Sequence, residues 1–289
     1  MYRVSIIGLG TWGEKYISTI KEMDDVEIIS ACRRTNDRPL FLPGHCKFYT
    51  NIDFMKDAGG FDYLIITTDP ISQPRIAEQI SPTIKLMLEK PLALLATDAE
   101  ALFDLRSNLG GSIFVNHIHL YSEAFQLLKD RTRNEHIESI HSSGFGIGPC
   151  REEYSALYDY APHDLSMVLD LLVDTQYDLI SATKHESKNG EHYDAVLNFG
   201  DTLVSIEVGN DACKSRVLSI ETANNIYCYD GIKQSLSMNG AEIFVASEKP
   251  LKRALRAFFR GEQADKKTNL AILSVLHDID EMTRQVQDE

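Results

Sequence analysis

Six residues near the N-terminus have the types and the spacing that bind a dinucleotide. They form the segment Gly8-Leu9-Gly10-Thr11-Trp12-Gly13, a GxGxxG pattern that directly follows an apolar run and precedes a helical pattern. In that setting the first glycine permits a tight turn, the second lets a pyrophosphate approach the backbone, and the third lets the helix pack against the strand. The N–H groups at the start of the helix attract the phosphates. We predict that the cofactor is bound by Gly8, Gly10, Thr11, Trp12 and Gly13.

The end of the second predicted strand indicates which dinucleotide is preferred. Roughly 20 residues after the glycines, an NAD site usually carries an acidic residue for the ribose 2′-hydroxyl. Arg33 and Arg34 occupy that place here, and guanidinium groups match the oxygens of a 2′-phosphate. The alternative is that both arginines are solvated and that Asp37 accepts the ribose hydroxyls. The pattern favours NADP(H), with NAD(H) as the alternative.

A lysine at the end of another predicted strand could stabilise negative charge. Lys90 lies in Glu89-Lys90-Pro91, at the carboxyl end of a strand, where parallel sheets bind ligands. Its ammonium could polarise a carbonyl or stabilise a developing alkoxide. The alternative is a salt bridge between Lys90 and Glu89.

A second group could transfer a proton. Asp159 and His163 lie four residues apart, and Pro162 fits the first turn of a helix. We therefore predict that the helix starts here, with His163 just inside it and Asp159 near the cap. Histidine passes protons near neutral pH, and Asp159 could orient the imidazole or bind a substrate hydroxyl. Asp164 is the alternative carboxylate, one that the helix dipole alone would favour at a helix start.

Taken together, these motifs resemble the glucose–fructose oxidoreductase / inositol dehydrogenase (Gfo/Idh/MocA) family. The family pattern combines GxGxxG, a strand that ends in Glu-Lys-Pro, a segment of the type G/N-H-x-x-R/Y, and Asp-x-x-x-His at a helix. The counterparts here are Gly8–Gly13, Glu89–Pro91, Asn116–Tyr121 and Asp159–His163. Their order and spacing cover the chain to about Val173. The combination is specific, although no single element is.

The resemblance implies an α/β protein with an N-terminal Rossmann domain built on a parallel sheet and a C-terminal α/β domain with an open, mainly antiparallel sheet. It implies hydride transfer between a nicotinamide and a secondary hydroxyl or ketone of a sugar, nucleotide sugar or cyclitol. Lys90, Asp159 and His163 would then be catalytic, and a cis peptide would precede Pro91. Further cofactor contacts would come from Thr67, Thr68, Pro70, Glu89 and Lys90.

The chain departs from the family pattern at two positions. Gln73 stands where relatives often have histidine, and Ser166 stands where the inositol-dehydrogenase pattern has a further aspartate. Two rival functions therefore remain open. One is a catalytically silent NAD(P)-binding regulator, and the other is a reductase of a non-sugar substrate on the same fold.

The elements that must position these residues change in pattern near residue 120. Apolar runs typical of parallel strands alternate with helical segments over residues 1–120, which predicts the Rossmann domain. Only the segment Asn36–Ile52 is irregular, and its prolines and glycine predict a loop. Residues 121–289 combine helices, among them Leu165–Val173, with strand-like runs separated by turns such as Asn189-Gly190. This part is predicted to be the substrate-binding and oligomerisation domain.

Composition excludes several classes of protein. The chain has 289 residues, 29 Lys plus Arg, 43 Asp plus Glu and a formal net charge of −14, which disfavours binding to nucleic acid or an anionic membrane. The five cysteines, at positions 32, 46, 150, 213 and 228, form no CxxC pair, so neither a disulfide framework nor a thiolate zinc site is expected. No signal peptide or long apolar run is present, and we expect a cytoplasmic enzyme.

Two expectations concern ligands and partners. His117 and His119 would share one face of a continued strand, as zinc ligands do, but no Cys, Asp or Glu companion follows at ligand spacing. We therefore expect no metal. An open antiparallel sheet with an exposed face usually needs cover, so a homodimer or homotetramer through the C-terminal sheet is predicted.

Overall fold

A computed structural model describes residues 1–148, 151–172 and 175–287 of the chain. Cys150 and the predicted helix end at Val173 lie outside these residues. The chain folds into two compact units. The first comprises Met1–Asn116 and Leu251–Lys266, and the second comprises His117–Pro250 and Lys267–Glu289.

The described residues form strands and helices in the following order. The strands are β1 Tyr2–Ile7, β2 Val26–Cys32, β3 Lys47–Tyr49, β4 Tyr63–Ile66, β5 Lys85–Glu89, β6 Ile113–Asn116, β7 Ile137–Ile147, β8 Asp178–Ser187, β9 Gly190–Phe199, β10 Thr202–Gly209, β11 Asp211–Thr222, β12 Ile226–Asp230, β13 Ser235–Met238 and β14 Ala241–Val245. The helices are α1 Thr11–Ile20, α2 Ile52–Ala58, α3 Ser72–Glu78, α4 Ala96–Asn108, α5 Glu123–Thr132, α6 Ala156–Leu172, α7 Pro250–Arg260 and α8 Lys266–Gln287, with a short 3-10 helix at Ile118–Tyr121.

The first unit contains a six-stranded sheet in the order β3-β2-β1-β4-β5-β6. All of its strand pairs are parallel. The inner strands are apolar and buried on both faces, as parallel strands covered by helices must be. This strand order reverses direction between β1 and β4, and ligands bind in such sheets at the carboxyl ends beside that point. The predicted Rossmann domain with a parallel sheet is confirmed.

The second unit contains an eight-stranded sheet in the order β14-β13-β12-β11-β7-β10-β9-β8. Only β7 and β10 pair in parallel, and the other neighbours are antiparallel. One face of the sheet is apolar, as the buried Tyr193, Ala195 and Leu197 on β9 show. The alternate residues of β9 lie on the opposite face and are partly exposed. The predicted open, mainly antiparallel sheet is confirmed.

The segment Leu251–Lys266 belongs to the first unit. The predicted division into residues 1–120 and 121–289 placed this segment in the second domain. Aromatic contacts explain the return of the chain. The ring of Phe259 stacks on Tyr2 with centroids 4.9 Å apart, and Phe258 lies 5.4 Å from Tyr63. The amide of Ala264 also donates to the carbonyl of Ile113 at 2.8 Å. A change of local pattern does not reveal this return, because it depends on packing between distant segments.

Two local predictions are wrong. The segment Asn36–Ile52 is not wholly irregular, because Lys47–Tyr49 pairs with β2 as the edge strand of the parallel sheet. The helix that carries His163 begins at Ala156, seven residues before it, so Pro162 lies inside the helix. Proline has no N–H to donate to the preceding turn, and the burial of Leu157, Ala161 and Leu165 against the body of the unit outweighs that loss.

Among the residues that the structure describes, no helix is both long enough and apolar enough to cross a membrane.

Candidate active site

The glycine segment forms the turn between β1 and α1. Gly8 has a φ of +94°, and an added Cβ would lie 2.7 Å from Thr67 Oγ1. A Cβ on Gly13 would collide with the carbonyl oxygen of Gly8. By contrast, a Cβ on Gly10 would meet no described atom within 4 Å. The outer two glycines are therefore required by the protein itself, while the backbone at Gly10 remains open to a ligand.

The start of α1 is suited to an anion. Its N-cap is Gly10, which has no side chain to accept the free N–H groups of the first turn. Thr11 is exposed and Trp12 is half-buried beside this turn. Uncapped N–H groups and the helix dipole both favour negative charge at this position.

The loop after β4 lies next to the glycine turn. The hydroxyl of Thr67 donates to the carbonyl of Gly8 at 2.7 Å, and the Thr67 amide donates to Ile7 at 2.8 Å. The Oγ1 atom of Thr68 is buried and has no hydrogen-bond partner among the described residues. A buried hydroxyl without a partner costs free energy. Thr68 is thus placed to bond to a ligand that enters beside the turn, and Pro70 is buried at the end of the same loop.

The two arginines after β2 differ in their surroundings. The Arg33 guanidinium lies 3.3 Å from the Asp37 carboxylate, and its side chain is 28% exposed. Arg34 is exposed. A hydrogen bond from Thr35, one from its own backbone and the charge of Arg33 hold the pKa of Asp37 below its ordinary value. Both alternatives for the ribose therefore remain open, since Arg33 and Asp37 form one pair at this edge.

Lys90 follows β5 and is held from one side by Gln73. The Gln73 side chain is fully buried, accepts from the amide of Glu89 at 2.7 Å and donates to the carbonyl of Pro91 at 3.1 Å. The Gln73 side chain thus forms hydrogen bonds to the backbone on both sides of Lys90. The Lys90–Pro91 peptide is cis, in agreement with the family habit. Gln73, which stands where relatives often have histidine, therefore positions the backbone around Lys90.

Glu89 is buried away from solvent beneath Lys90. Its Oε1 accepts from the Tyr16 hydroxyl at 2.5 Å and from the Asn116 amide at 3.1 Å, and Asn116 also donates to Tyr16 at 2.6 Å. Burial raises the pKa of Glu89, although these hydrogen bonds and the charge of Lys90 oppose the shift. Burial and the neighbouring Glu89 also raise the pKa of Tyr16. The network ties β5 to α1 and β6, so Glu89 has a structural role in addition to any contact with a cofactor.

Asp159 and His163 lie on consecutive turns of α6 in the second unit. A spacing of four residues places both side chains on one face of the helix. The Asp159 carboxylate accepts from Arg151 Nε at 2.8 Å and is 25% exposed. His163 is half-buried, and Ser166 donates to its backbone carbonyl at 2.9 Å. Asp159 and His163 thus share one face of α6, and His163 lies in the helix interior and not at a helix start.

Asp164 does not share the face of α6 that carries Asp159 and His163. Its side chain is fully buried, pairs with the guanidinium of Arg216 and accepts from the Ser142 hydroxyl at 2.6 Å. Gly144 leaves room for this guanidinium, because an added Cβ there would collide with it. The interpretation of Asp164 as a helix-start carboxylate is therefore wrong. Asp164 joins α6 to β7 and β11.

His119 is a further neighbour of His163. Its ring lies edge-on to that of His163, with centroids 5.1 Å apart, and its Nδ1 lies 3.0 Å from the hydroxyl of the buried Tyr229. His117 instead lies 3.0 Å from the Asn269 side chain through Nε2 and is buried. The two histidines thus have separate partners.

Sequence patterns alone miss Tyr16 and Tyr229, and they do not show which groups Gln73 and Asn116 contact, although both stand in recognised segments. The only local signal of the two tyrosines is a polar group within a buried element. The contacts that give all four residues a role join positions 16 to 110 residues apart, for example Gln73 with Glu89 and His119 with Tyr229. His119 lies within a recognised motif, but nothing in the motif indicates that its ring lies beside His163.

The motifs of the first unit are matched by a known family. Residues 2–117 match the family described as an oxidoreductase family with an NAD-binding Rossmann fold. Residues 2–117 belong to the Gfo/Idh/MocA family. For these residues, which match an oxidoreductase family with an NAD-binding Rossmann fold, the resemblance stated from the sequence is confirmed. No curated protein sequence matches the chain at a significant level.

Solved structures share the fold over nearly the whole chain. A protein from Magnetospirillum magnetotacticum MS-1 named as an oxidoreductase has 26% identity and a TM-score of 0.84, with coverage of 96% of this chain and 98% of that one. UDP-N-acetylglucosamine 3-dehydrogenase GnnA from Acidithiobacillus ferrooxidans has 15% identity and a TM-score of 0.82, with 98% of each chain covered. The 3-ketoreductase KijD10 from Actinomadura kijaniata, in complex with TDP-benzene and NADP, has 14% identity, a TM-score of 0.84 and 98% coverage of each chain.

The first unit has the features that a Gfo/Idh/MocA chain needs for a nicotinamide dinucleotide. The open backbone at Gly10, the uncapped start of α1 and the unpartnered Thr68 hydroxyl all lie at the carboxyl ends of β1 and β4. The N–H groups and the hydroxyl can donate hydrogen bonds to an anionic or hydroxylated ligand, and the open backbone at Gly10 lets such a ligand approach. The residues present therefore fit the cofactor that the family implies.

Proposed function

We propose that the chain is an NAD(P)(H)-dependent oxidoreductase that acts on a secondary hydroxyl or ketone of a sugar, nucleotide sugar or cyclitol. The observation that carries this proposal is the placement of Lys90. It follows β5 at the carboxyl edge of a Rossmann sheet, and Gln73 fixes the backbone on both sides of it. A lysine whose backbone is held at this edge can bring its ammonium to a reacting oxygen.

In the proposed reaction, three side chains stabilise charge, transfer the proton and support substrate binding. Bound nicotinamide would supply or accept the hydride. Lys90 stabilises the negative charge that develops on the substrate oxygen. His163 removes the hydroxyl proton during oxidation and returns it during reduction. Asp159, one turn before His163 on α6, holds its charge beside Arg151 and supports substrate binding on that face.

The first unit also supplies the proposed binding residues for the dinucleotide. Backbone at Gly8, Gly10 and Gly13 and the start of α1 at Thr11 and Trp12 would hold the pyrophosphate. Contacts from Thr67, Thr68 and Pro70 would line the same edge, with Glu89 and Lys90 at the end of β5. We expect these contacts to exclude water from the reacting oxygen.

The substrate class rests on this chemistry and is supported by the names of two structural neighbours. GnnA is a UDP-N-acetylglucosamine 3-dehydrogenase and KijD10 is a 3-ketoreductase. At 15% and 14% identity, these likenesses show the fold alone. Lys90 favours hydroxyl chemistry over reduction of a non-sugar substrate. Its ammonium would stabilise an alkoxide, and the reduction of an imine or a tetrapyrrole forms no alkoxide.

The direct test is nicotinamide absorbance with a panel of substrates. Purified protein is incubated with NAD⁺ or NADP⁺ and with nucleotide sugars, free sugars, cyclitols and simple secondary alcohols. We expect turnover with members of the sugar or cyclitol groups. Tight cofactor binding with no turnover on any substrate would favour the silent regulator, and turnover only with imines or tetrapyrroles would favour the non-sugar reductase.

We expect NADPH to bind more tightly than NADH. Two guanidinium groups at the end of β2 can form charge-assisted hydrogen bonds to a 2′-phosphate, each worth roughly 1.5–3 kcal/mol, which together correspond to a preference of about a hundredfold or more. The preference should shrink as salt rises, because both arginines are partly exposed. Arg33→Asp should reverse the order. The quenching of Trp12, the single tryptophan of the chain, reports both affinities.

Arg75→Asp provides the matched control for this test. Arg75 is exposed on α3, so its replacement by aspartate makes the same change of charge at a place away from β2. It should leave the order of the two affinities unchanged. Tighter binding of NADH by the unaltered protein would refute the arginine interpretation and favour Asp37 as the group that accepts the ribose hydroxyls.

We also propose that two copies of the chain associate through the exposed face of the second sheet. Leu203 and Ile226 lie on the face opposite the buried Val204 and Tyr227, with 46% and 52% exposure, and Ile147 at the end of β7 is 84% exposed. Such apolar side chains favour a partner surface. Sedimentation at micromolar concentration should give a dimer or tetramer, and Leu203→Glu should shift it toward the monomer. A monomer in the unaltered protein would contradict the proposal.

A further inference from the structure

A cluster of histidines and carboxylates lies outside the proposed active site, at the β8 edge of the second sheet. It consists of His185 on β8, His192 and Asp194 on β9, and Asp211 at the start of β11. We call it the hairpin cluster. His192 and Asp194 alternate with the buried Tyr193 and Ala195, so they point to the face of the sheet opposite its core.

The register of the β8–β9 hairpin brings two imidazoles together. His185 is the direct partner of His192 across the hairpin, and their rings stack with centroids 4.4 Å apart at an angle of 18°. The stack places two imidazoles side by side, and each can supply a nitrogen ligand to one metal ion.

Asp194 completes a set of three ligand atoms. It lies two residues after His192 on the same face of β9, and its Oδ2 lies 2.9 Å from Nε2 of His185. One ligand atom from each of His185, His192 and Asp194 lies within 4.8 Å of the other two. Ligand atoms around tetrahedral zinc lie about 3.4 Å apart, from bond lengths of about 2.0–2.1 Å. Small side-chain rotations would close that difference.

Asp211 holds His192 in the orientation that a metal requires. Its Oδ2 lies 2.8 Å from Nδ1 of His192, while its Oδ1 is buried and has no hydrogen-bond partner within the described part of the chain. A proton on Nδ1 shared with Asp211 leaves the lone pair of Nε2 for a metal. Carboxylates behind ligating histidines commonly have this arrangement.

The backbone around the hairpin cluster is fixed and its charge is negative. Asn210 exchanges two hydrogen bonds with Glu191, from its amide at 3.0 Å and through its side chain at 2.8 Å, which ties the start of β9 to the turn before β11. Glu207 pairs with Asp194 in the register of β9 and β10 and adds a third carboxylate near the two histidines. The three carboxylates attract a cation to this corner of the sheet.

We propose that His185, His192 and Asp194 bind a divalent transition metal of the zinc type, with Asp211 hydrogen-bonded behind His192. Mixed imidazole and carboxylate ligands suit Zn²⁺ and its neighbours better than Mg²⁺ or Ca²⁺. The metal cross-links the edge hairpin of the sheet and leaves a position for water. This site is independent of the proposed oxidoreductase function, because the hairpin cluster contains none of its residues.

Calorimetric titration of the chelator-treated full chain with ZnCl₂ tests the proposal. We expect one equivalent of Zn²⁺ to bind and to raise the melting temperature. His185→Ala and His192→Ala should abolish this binding, and the isosteric Asp211→Asn should weaken it by about 10–100-fold. The control is His141→Ala, since His141 lies on the same sheet and bonds to Ser205 at 2.9 Å.

Two results would overturn the proposal. One is the absence of stoichiometric Zn²⁺ binding by the unaltered chain. The other is unchanged affinity in both histidine variants, which would place the metal on other histidines. Circular dichroism of each variant verifies that the fold is retained, and Asp211→Asn keeps the test valid if either alanine variant does not fold.

Discussion

Lys90→Ala should leave the fold intact and lower turnover by about 10²–10³-fold or more, a far larger effect than its effect on the affinity for cofactor. The ammonium acts on charge that develops on the substrate oxygen, so its loss raises the energy of the transition state far more than that of the ground state. The backbone at this position is held by Gln73 and not by the lysine side chain. Absorbance kinetics measure the turnover, and the quenching of Trp12 measures the affinity for cofactor.

Lys85→Ala is the matched control for Lys90. Lys85 begins the same strand, is exposed and lies 5.3 Å above the Tyr63 ring. Its removal takes away the same charge at the amino end of β5, opposite to the edge where ligands bind. The control should retain normal turnover. If Lys90→Ala were as active as Lys85→Ala, Lys90 would have no role in catalysis.

His163→Ala should lower turnover by about 10²–10⁴-fold and flatten the acid limb of the pH–rate profile for alcohol oxidation. Oxidation needs a neutral imidazole to take the hydroxyl proton. The rate should therefore fall as pH falls and histidine becomes protonated, ordinarily between about pH 5 and 8. Without His163 the remaining activity should lose that dependence. Initial rates across this pH range, at saturating cofactor, measure the effect.

His277→Ala serves as the control for His163. His277 is exposed on α8 and lies 3.4 Å from Glu281, so its loss removes an imidazole that has no place in the proposed reaction. A second variant, His119→Ala, separates the two neighbouring rings. It should retain the acid limb, since the His119 ring lies edge-on to His163 and its Nδ1 lies 3.0 Å from the Tyr229 hydroxyl. An unaltered profile in His163→Ala would mean that another group transfers the proton.

The parallel sheet could be predicted because its strands are apolar on both faces and because GxGxxG occurs where β1 ends. The placement of Lys90 followed from the same pattern, since a motif at the end of a strand has a defined place in such a sheet. The start of α6 could not be predicted correctly. Pro162 indicates a helix start when it is considered alone, and only burial of the neighbouring apolar residues shows that the helix begins at Ala156.

The surroundings of the candidate site required the structure. Nothing in the local sequence shows that Gln73 bonds to both Glu89 and Pro91, or that Tyr16 and Asn116 meet on one carboxylate oxygen. The hairpin cluster is similar, because its four side chains come from three strands. A turn at Asn189-Gly190 predicts the hairpin, but the exact register that pairs His185 with His192 depends on which two residues form the loop.

The return of Leu251–Lys266 to the first unit determines how this protein can be divided. A fragment that ends near residue 120 would lack Phe258 and Phe259, leaving Tyr2 and Tyr63 without the rings that cover them. The carbonyl of Ile113 on β6 would also lose the amide of Ala264. A ribosome must therefore synthesise nearly the entire chain before the nucleotide-binding half can finish folding. An autonomous version would need a linker that joins residue 116 directly to residue 251.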